Sequence, residues 1–270
     1  MITSRDGTEL AFDQVGSGPP VVLVDGALSH RAAGPNGTLA EVLAEHFTVY
    51  TYDRRGCGES GDTAPYAVER EIEDLEALIA AAGGSASVYG ISSGGVLALE
   101  AAVRLDCIEA LALFELPFVV DDSRAPIPAD FAAHLTALIA SDRRGEAVRY
   151  FMTAGVGLSR ILVATMRLMP MWSKLKAVAH TLPYDATILG PDTGAGGPLP
   201  AARWASLSVP TLVMDGSKSP VWMRNSVHAL GRLLRAEHRT LEGQTHMVKP
   251  DALAPVLTRY FNAMLEPSAS

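Results

Sequence analysis

Val88-Tyr89-Gly90-Ile91-Ser92-Ser93-Gly94-Gly95 decides how this 270-residue chain folds. It reads as a buried strand turning sharply into a helix around one serine. Gly90, Ser92 and Gly94 fit the pattern G-x-S-x-G, the nucleophile elbow, which lifts the serine hydroxyl above a sheet on a strained turn. Side chains two residues to either side of the serine would collide in so tight a bend, so glycine is needed there. A pattern this short also arises by chance, as an ordinary glycine-rich link between strand and helix. Its flanks favour the sharper reading, because Ser85 to Tyr89 is strand-like and Val96 to Val103 is helical. Ser92 is the candidate nucleophile.

Strands and helices alternate on both sides of that turn. Val21-Val22-Leu23-Val24 is a short unbroken apolar run, the pattern of a strand buried on both faces of a parallel sheet. Phe47 to Tyr52 is a further strand, and Val68 to Ala82 a helix with Ile72, Leu75, Leu78 and Ile79 along one side. Ile108 to Phe114, Thr211 to Met214 and Glu237 to Leu241 add strands, while Trp222 to Leu234 and Pro250 to Leu265 add helices. An Asp-Gly turn before the alternating Thr8 to Val15 predicts an opening antiparallel hairpin. The whole predicts an α/β fold built on a mostly parallel, doubly wound sheet. The rhythm breaks between about Val119 and Ser208, in a helical stretch carrying Met152, Met166, Met169, Met171 and Trp172, with a loop from Gly190 to Pro198. That stretch is expected to form a helical cap, residues 119–205, inserted after the sixth strand (Ile108 to Phe114). Residues 1–118 and 206–270 are expected to form the core.

Hydrophobic residues make up 48% of the chain and charged residues 19%, the balance of a soluble globular protein. A net charge of −8 argues against nucleic acid or an anionic membrane as partner, and Arg54-Arg55 and Arg143-Arg144 read as isolated pairs. No apolar run is long enough to span a bilayer, and Met1 to Gly7 lacks the apolar stretch of a signal peptide. Cys57 and Cys107, without a CxxC pattern, predict a reducing compartment and neither a disulfide framework nor a metal site. The cytoplasm is the expected location and a small-molecule substrate the expected partner. Oligomeric state is not readable from these features.

A serine hydroxyl is a poor nucleophile unless a base takes its proton. His246, in Glu242-Gly243-Gln244-Thr245-His246 after the last strand, stands in the right chain order for that base. The other histidines fit less well. His30 and His46 flank the first helix, His134 and His180 fall in the helical stretch, His228 is mid-helix, and His238 lies inside the last strand.

With these residues in place, the chain resembles an α/β-hydrolase fold enzyme, a capped serine hydrolase, over nearly its whole length. The likeness rests on the entry Gly18-Pro19-Pro20-Val21-Val22-Leu23, the loop Tyr52 to Ser60, the elbow, Val209-Pro210-Thr211-Leu212 and the late histidine. It implies an oxyanion hole of two backbone N–H groups, one from Ser93 and one from the residue after a His-Gly pair. Asp25-Gly26-Ala27 replaces that pair here, which makes Ala27 the second donor. The resemblance also implies an aspartate three residues beyond Gly216, but position 219 is a serine, which cannot hold an imidazolium charge. Certain haloalkane dehalogenases carry the acid after the sixth strand instead, where this chain has Glu115. A carboxylate buried there needs a charge partner. Asp215, Asp121, Asp122 and a dyad without an acid are the alternatives. Asp53, Arg54 and Arg55 read as salt-bridging residues, and Cys57 lacks an elbow. Trp172, Trp222 and the cap methionines either pack or line an apolar pocket, and together favour a fairly bulky hydrophobic substrate.

The expected activity is that of a serine hydrolase, free of cofactor and metal, acting on an ester, thioester or lactone. Ser92 attacks, His246 relays the proton, Glu115 orients the imidazole, and Ala27 and Ser93 hold the oxyanion. Serine at the elbow disfavours the alkyl-enzyme chemistry of epoxide hydrolases and dehalogenases. Two other readings stand beside it. One is a non-hydrolytic enzyme on the same scaffold, a lyase, a C–C bond-cleaving enzyme or a cyclase. The other is a ligand-binding protein without turnover, against which the presence of both Ser92 and His246 weighs.

Overall fold

Leu111 and Leu113 pack to one side of the sheet while Ala110, Ala112 and Phe114 pack to the other. That is why Ile108–Phe114 shows no polar alternation: both faces are covered. The computed structural model describes residues 1–265. Its early strands are β1 (Ile2–Thr3), β2 (Glu9–Leu10), β3 (Phe12–Gly16), β4 (Pro20–Val24) and β5 (Thr48–Tyr52). Then come β6 (Ala86–Ile91), β7 (Ile108–Phe114), β8 (Thr211–Gly216) and β9 (Glu237–Leu241). The main sheet runs β3-β5-β4-β6-β7-β8-β9, with β3 antiparallel to β5 and every other neighbouring pair parallel.

Helices α1 (Asn36–Leu43), α2 (Val68–Ala81) and α3 (Ser92–Ala102) follow strands in the first half of the chain. Between β7 and β8 lie α4 (Phe131–Ala140), α5 (Arg144–Tyr150), α6 (Arg160–Met166), α7 (Met171–Ala177) and α8 (Leu182–Leu189). The chain closes with α9 (Val221–Leu234) and α10 (Pro250–Leu265). On one face, Leu39 and Leu43 of α1 and Leu257 and Phe261 of α10 meet Val21, Leu23 and Met214. On the other, Leu75 and Leu78 of α2, Val96 and Leu99 of α3 and Leu230 of α9 meet Val22, Val88 and Leu113. Burying each such side chain stabilises the fold by about 1.5–3 kcal/mol, so Leu113→Ala should cost about 2–5 kcal/mol.

The opening hairpin is split. β1 and β2 pair across the Asp6-Gly7 turn, whereas β3 leaves them and pairs with β5. The alternation slips at Leu10 and Ala11, which are both buried, and the Ala11 N–H leaves the ladder to bond Ser60 Oγ at 2.9 Å. One expected hairpin thus becomes three short strands, and the strand counted sixth from sequence is β7.

Helices α4 to α8 enclose their own apolar cluster, including Phe131, Leu135, Val148, Met152, Trp172 and Leu182. α6 starts where Ser159 accepts the Leu162 N–H at 3.2 Å, and α8 starts on a proline in its first turn. Ile188 and Trp204 belong to the main core instead and anchor this helical segment on the sheet. Among the described residues no helix is long and apolar enough to cross a membrane.

Candidate active site

Three neighbouring strand ends converge at the carboxyl edge of the sheet, and each leaves it through a strained residue. Leu28 after β4, Ser92 after β6 and Glu115 after β7 have φ of 62°, 57° and 48°, a region non-glycine residues seldom adopt. Such outliers persist only where surrounding structure over-determines them, and they gather at functional sites. At Ser92 the cause is local. A Cβ on Gly90 would lie 2.6 Å from Gly95 Cα, and one on Gly94 only 2.3 Å from the Asp25 carbonyl oxygen. With glycine at both positions, α3 begins at the serine itself, and Ser92 remains partly exposed.

Ile91 pairs with Phe114 in the sheet register, so Ser92 and Glu115 are the next residues on adjacent strands. Glu115 is fully buried. Its Oε1 accepts the Gly216 N–H at 2.8 Å, and its Oε2 lies 2.8 Å from His246 Nδ1. A carboxylate can only accept, so Nδ1 donates in this contact and Nε2 is the ring nitrogen that Glu115 leaves free. The loop that carries His246 is tied to the end of β8. Ser217 N–H bonds Leu241 O at 3.0 Å, Lys218 N–H bonds Gln244 O at 2.9 Å, and Gly243 N–H bonds Ser217 Oγ at 2.8 Å. Among the described residues no hydrogen bond joins the Ser92 hydroxyl to His246, whose partner is Glu115. Such bonds commonly close only when substrate binds.

The other candidate acids lie elsewhere. Asp215 is fully buried but held by Arg224 Nε at 3.1 Å, the Thr240 hydroxyl at 2.7 Å and His238 Nε2 at 3.1 Å. Asp121 bonds Asn225 at 2.6 Å beside α9, and Asp122 is exposed. Ser219, where the acid was looked for, is buried with its hydroxyl unpartnered.

The oxyanion loop departs from expectation at one bond. The Ala27 N–H donates to Ser93 Oγ at 2.9 Å, so the proposed second donor is satisfied within the protein until substrate competes for it. Beneath it, burial pushes the Asp25 carboxyl up to about 7, against the pull of Arg54 and the Asn36 N–H. Asp25 Oδ1 has no hydrogen-bond partner. Arg54 is bidentate to Glu71 at 2.7 and 2.8 Å and reaches Asp185 of α8 at 2.8 Å. Arg55 grips Asp74 at 2.6 and 2.8 Å and Asp6 at 3.0 Å. Asp53 accepts the backbone N–H groups of Arg31 and Glu59. These pairs bind the loop after β5 to α2 and to the helical segment. Sequence reasoning missed Asp185 and the role of Asp25, because no local motif marks a partner 131 positions away.

Burial pushes the Cys57 thiol up to about 12, which disqualifies it as a nucleophile at neutral pH. Trp172 and Met152 pack inside the helical segment, Trp222 lies under Arg124, and Met169 and Met171 are exposed. Arg143 and Arg144 are not an isolated pair: they line an open cleft of about 450 Å³ with Arg149, Arg167 and Lys176, and with Glu146 and Asp142, which pair with them at 2.5 and 3.3 Å. Folding gathers five cations and two carboxylates there, an excess of positive charge that the net charge conceals.

A seven-stranded, largely parallel sheet with a serine elbow and a glutamate-bound histidine at its carboxyl edge defines a class, and comparison with known proteins agrees. The chain belongs to the Alpha/beta hydrolase family, whose sequence profile matches residues 21–256. It is similar to the crystal structure of an alpha/beta hydrolase from Sphaerobacter thermophilus DSM 20745, with 56% identity and a TM-score of 0.88 over 97% of this chain and 100% of that one. A thermophilic esterase from Thermogutta terrifontis shares the fold, at 24% identity and a TM-score of 0.67 over 97% of each chain. The pimeloyl-[acyl-carrier protein] methyl ester esterase of Xanthomonas campestris pv. campestris (strain B100) is 28% identical over 276 aligned residues, covering 94% of this chain and 99% of that protein.

Proposed function

We propose that this family member is a cofactor-independent serine hydrolase that cleaves an ester, thioester or lactone of a fairly apolar small molecule through an acyl-Ser92 intermediate. The 2.8 Å contact between His246 Nδ1 and the buried Glu115, beside the strained turn at Ser92, carries this reading. The similarity to a methyl ester esterase supports an ester carbonyl as the target.

In this mechanism Ser92 Oγ attacks the carbonyl carbon while its proton passes to His246 Nε2. Glu115 stabilises the imidazolium that forms, and the Ser93 N–H meets the developing oxyanion. The Ala27 N–H joins it by exchanging Ser93 Oγ for the substrate oxygen. The C–O or C–S bond then breaks as His246 returns the proton to the leaving group. Water repeats the sequence on the acyl-enzyme and frees the acid. Residues 119–205 act as a cap over this edge.

A non-hydrolytic reaction is the second reading, favoured by the Ala27–Ser93 bond, since chemistry with less oxyanion charge needs fewer free donors. Fluorophosphonate labelling with turnover of short-chain p-nitrophenyl esters separates the two. Labelled, ester-cleaving protein whose Ser92→Ala variant does neither supports hydrolysis. Absent labelling, or labelling undiminished in that variant, contradicts it.

A further inference from the structure

Asp215 is a buried carboxylate that the proposed reaction leaves unused, and two imidazoles converge on it. β8 carries Asp215 to the sheet edge, β9 sets His238 opposite Val213, and α9 supplies His228. His238 Nε2 lies 3.1 Å from Asp215 Oδ1, and His228 Nε2 lies 3.8 Å from Oδ2. The two rings meet edge to face, with centroids 4.6 Å apart at 80°. One ligand atom from each residue falls within 4.8 Å of the others. His228 Nε2 is buried and makes no hydrogen bond, a cost that a ligand would remove.

We infer that Asp215, His228 and His238 form a binding site for a zinc-like divalent transition-metal ion, separate from the Ser92 centre. Two imidazole nitrogens and one carboxylate oxygen suit zinc, and three protein ligands leave a fourth position for water. The Thr240 hydroxyl, donating to Asp215 Oδ1 at 2.7 Å, orients the carboxylate as the supporting partners of metal ligands do. Arg224 is the competitor, with Nε at 3.1 Å from Oδ2, but its side chain is about one-third exposed and has room to turn outward. Of the three ligands only His228 lines the adjoining cleft of about 710 Å³, with Asn225, Asp121 and Arg232, and that cleft is lined by none of Ser92, Glu115 or His246. Bound metal would pin the edge strand β9 and helix α9 to β8, and so raise the stability of the folded state.

The test is zinc titration of the full, EDTA-stripped chain by calorimetry, with cobalt(II) absorption as a second readout. One ion per chain should bind, and unfolding should shift to higher temperature. His228→Ala and His238→Ala should each weaken binding by about tenfold or more. Arg224→Ala, which removes the competing cation, should tighten it. His246→Ala should leave it unchanged, which separates this site from capture by the candidate active-site imidazole. Failure to bind one ion, or binding lost in His246→Ala and kept in His228→Ala and His238→Ala, would overturn the assignment. Neither result bears on whether Ser92 is a nucleophile.

Discussion

Two fully buried carboxylates, Glu115 and Asp215, sit at neighbouring strand ends, and each meets an imidazole. Their surroundings differ in one respect. Among the described residues Glu115 pairs with no lysine or arginine; its partners are His246 and the Gly216 N–H. Asp215 already has the Arg224 guanidinium, the Thr240 hydroxyl and His238. A carboxylate neutralised by a permanent cation has little left for an imidazolium that exists only in the transition state. One held by neutral donors keeps its charge for that moment. Burial and proximity alone therefore do not identify a catalytic acid. What else each carboxylate holds is the ground on which Glu115, and not Asp215, is proposed as that acid.

The largest effect should come from exchanging the two. Glu115→Gln should lower kcat on an ester substrate by about 10³–10⁴-fold, whereas Asp215→Asn should leave it within about threefold. An equal loss in both would break the contrast.

Asp25 extends the comparison to a carboxylate without a full complement of partners. Its folded-state value, near 7, lies above the ordinary 3.8 because of burial. Between those values the folded state keeps a proton that the unfolded state has lost. Its stabilising contribution is complete below about pH 4 and is lost as pH rises through 7, at about 1 kcal/mol per unit. Urea unfolding of Asp25→Asn should therefore gain on the parent as pH rises from 4 to 7 and converge with it at low pH. A gap independent of pH would count against this.

For Asp215→Asn, urea unfolding should show a stability loss of about 1–3 kcal/mol, since Arg224 and Thr240 lose an ionised acceptor. Placing an acid at position 219, where the family resemblance implies one, sharpens the contrast further. Ser219→Asp in the Glu115→Gln background should recover about tenfold in kcat if the imidazole can be reached from β8. The smallest effect should follow Ser93→Ala. Freeing the Ala27 N–H of a hydrogen bond worth about 1 kcal/mol should raise kcat about fivefold, and a fall would mean that the Ser93 hydroxyl assists the reaction.

Much of this was legible in the chain. Strands buried on both faces announce themselves as unbroken apolar runs, so Val21–Val24 was readable, as was Ala110–Phe114 once past the exposed Glu109, and the Gly90 to Gly94 spacing marked the elbow. His246 stood out as a candidate because it follows the last strand. Glu115 required a positional analogy, since a single glutamate carries no periodic signal. What sequence could not disclose depends on tertiary distance. The slip at Leu10 and Ala11, the Ala27–Ser93 bond and the Arg54–Asp185 pair join residues that no local pattern links. The cations around Arg143 and Arg144 stayed hidden for a related reason: net charge averages over a surface that folding sorts.

Rapid-quench mass spectrometry of the acylation step, run side by side on the parent protein, Glu115→Gln and Asp215→Asn, tests the central claim most directly. An acyl group should map to Ser92 and form at similar rates in the parent and Asp215→Asn, and at least about a hundredfold more slowly in Glu115→Gln. Acyl transfer to another residue, no adduct at all, or slowing in Asp215→Asn in place of Glu115→Gln would contradict the account.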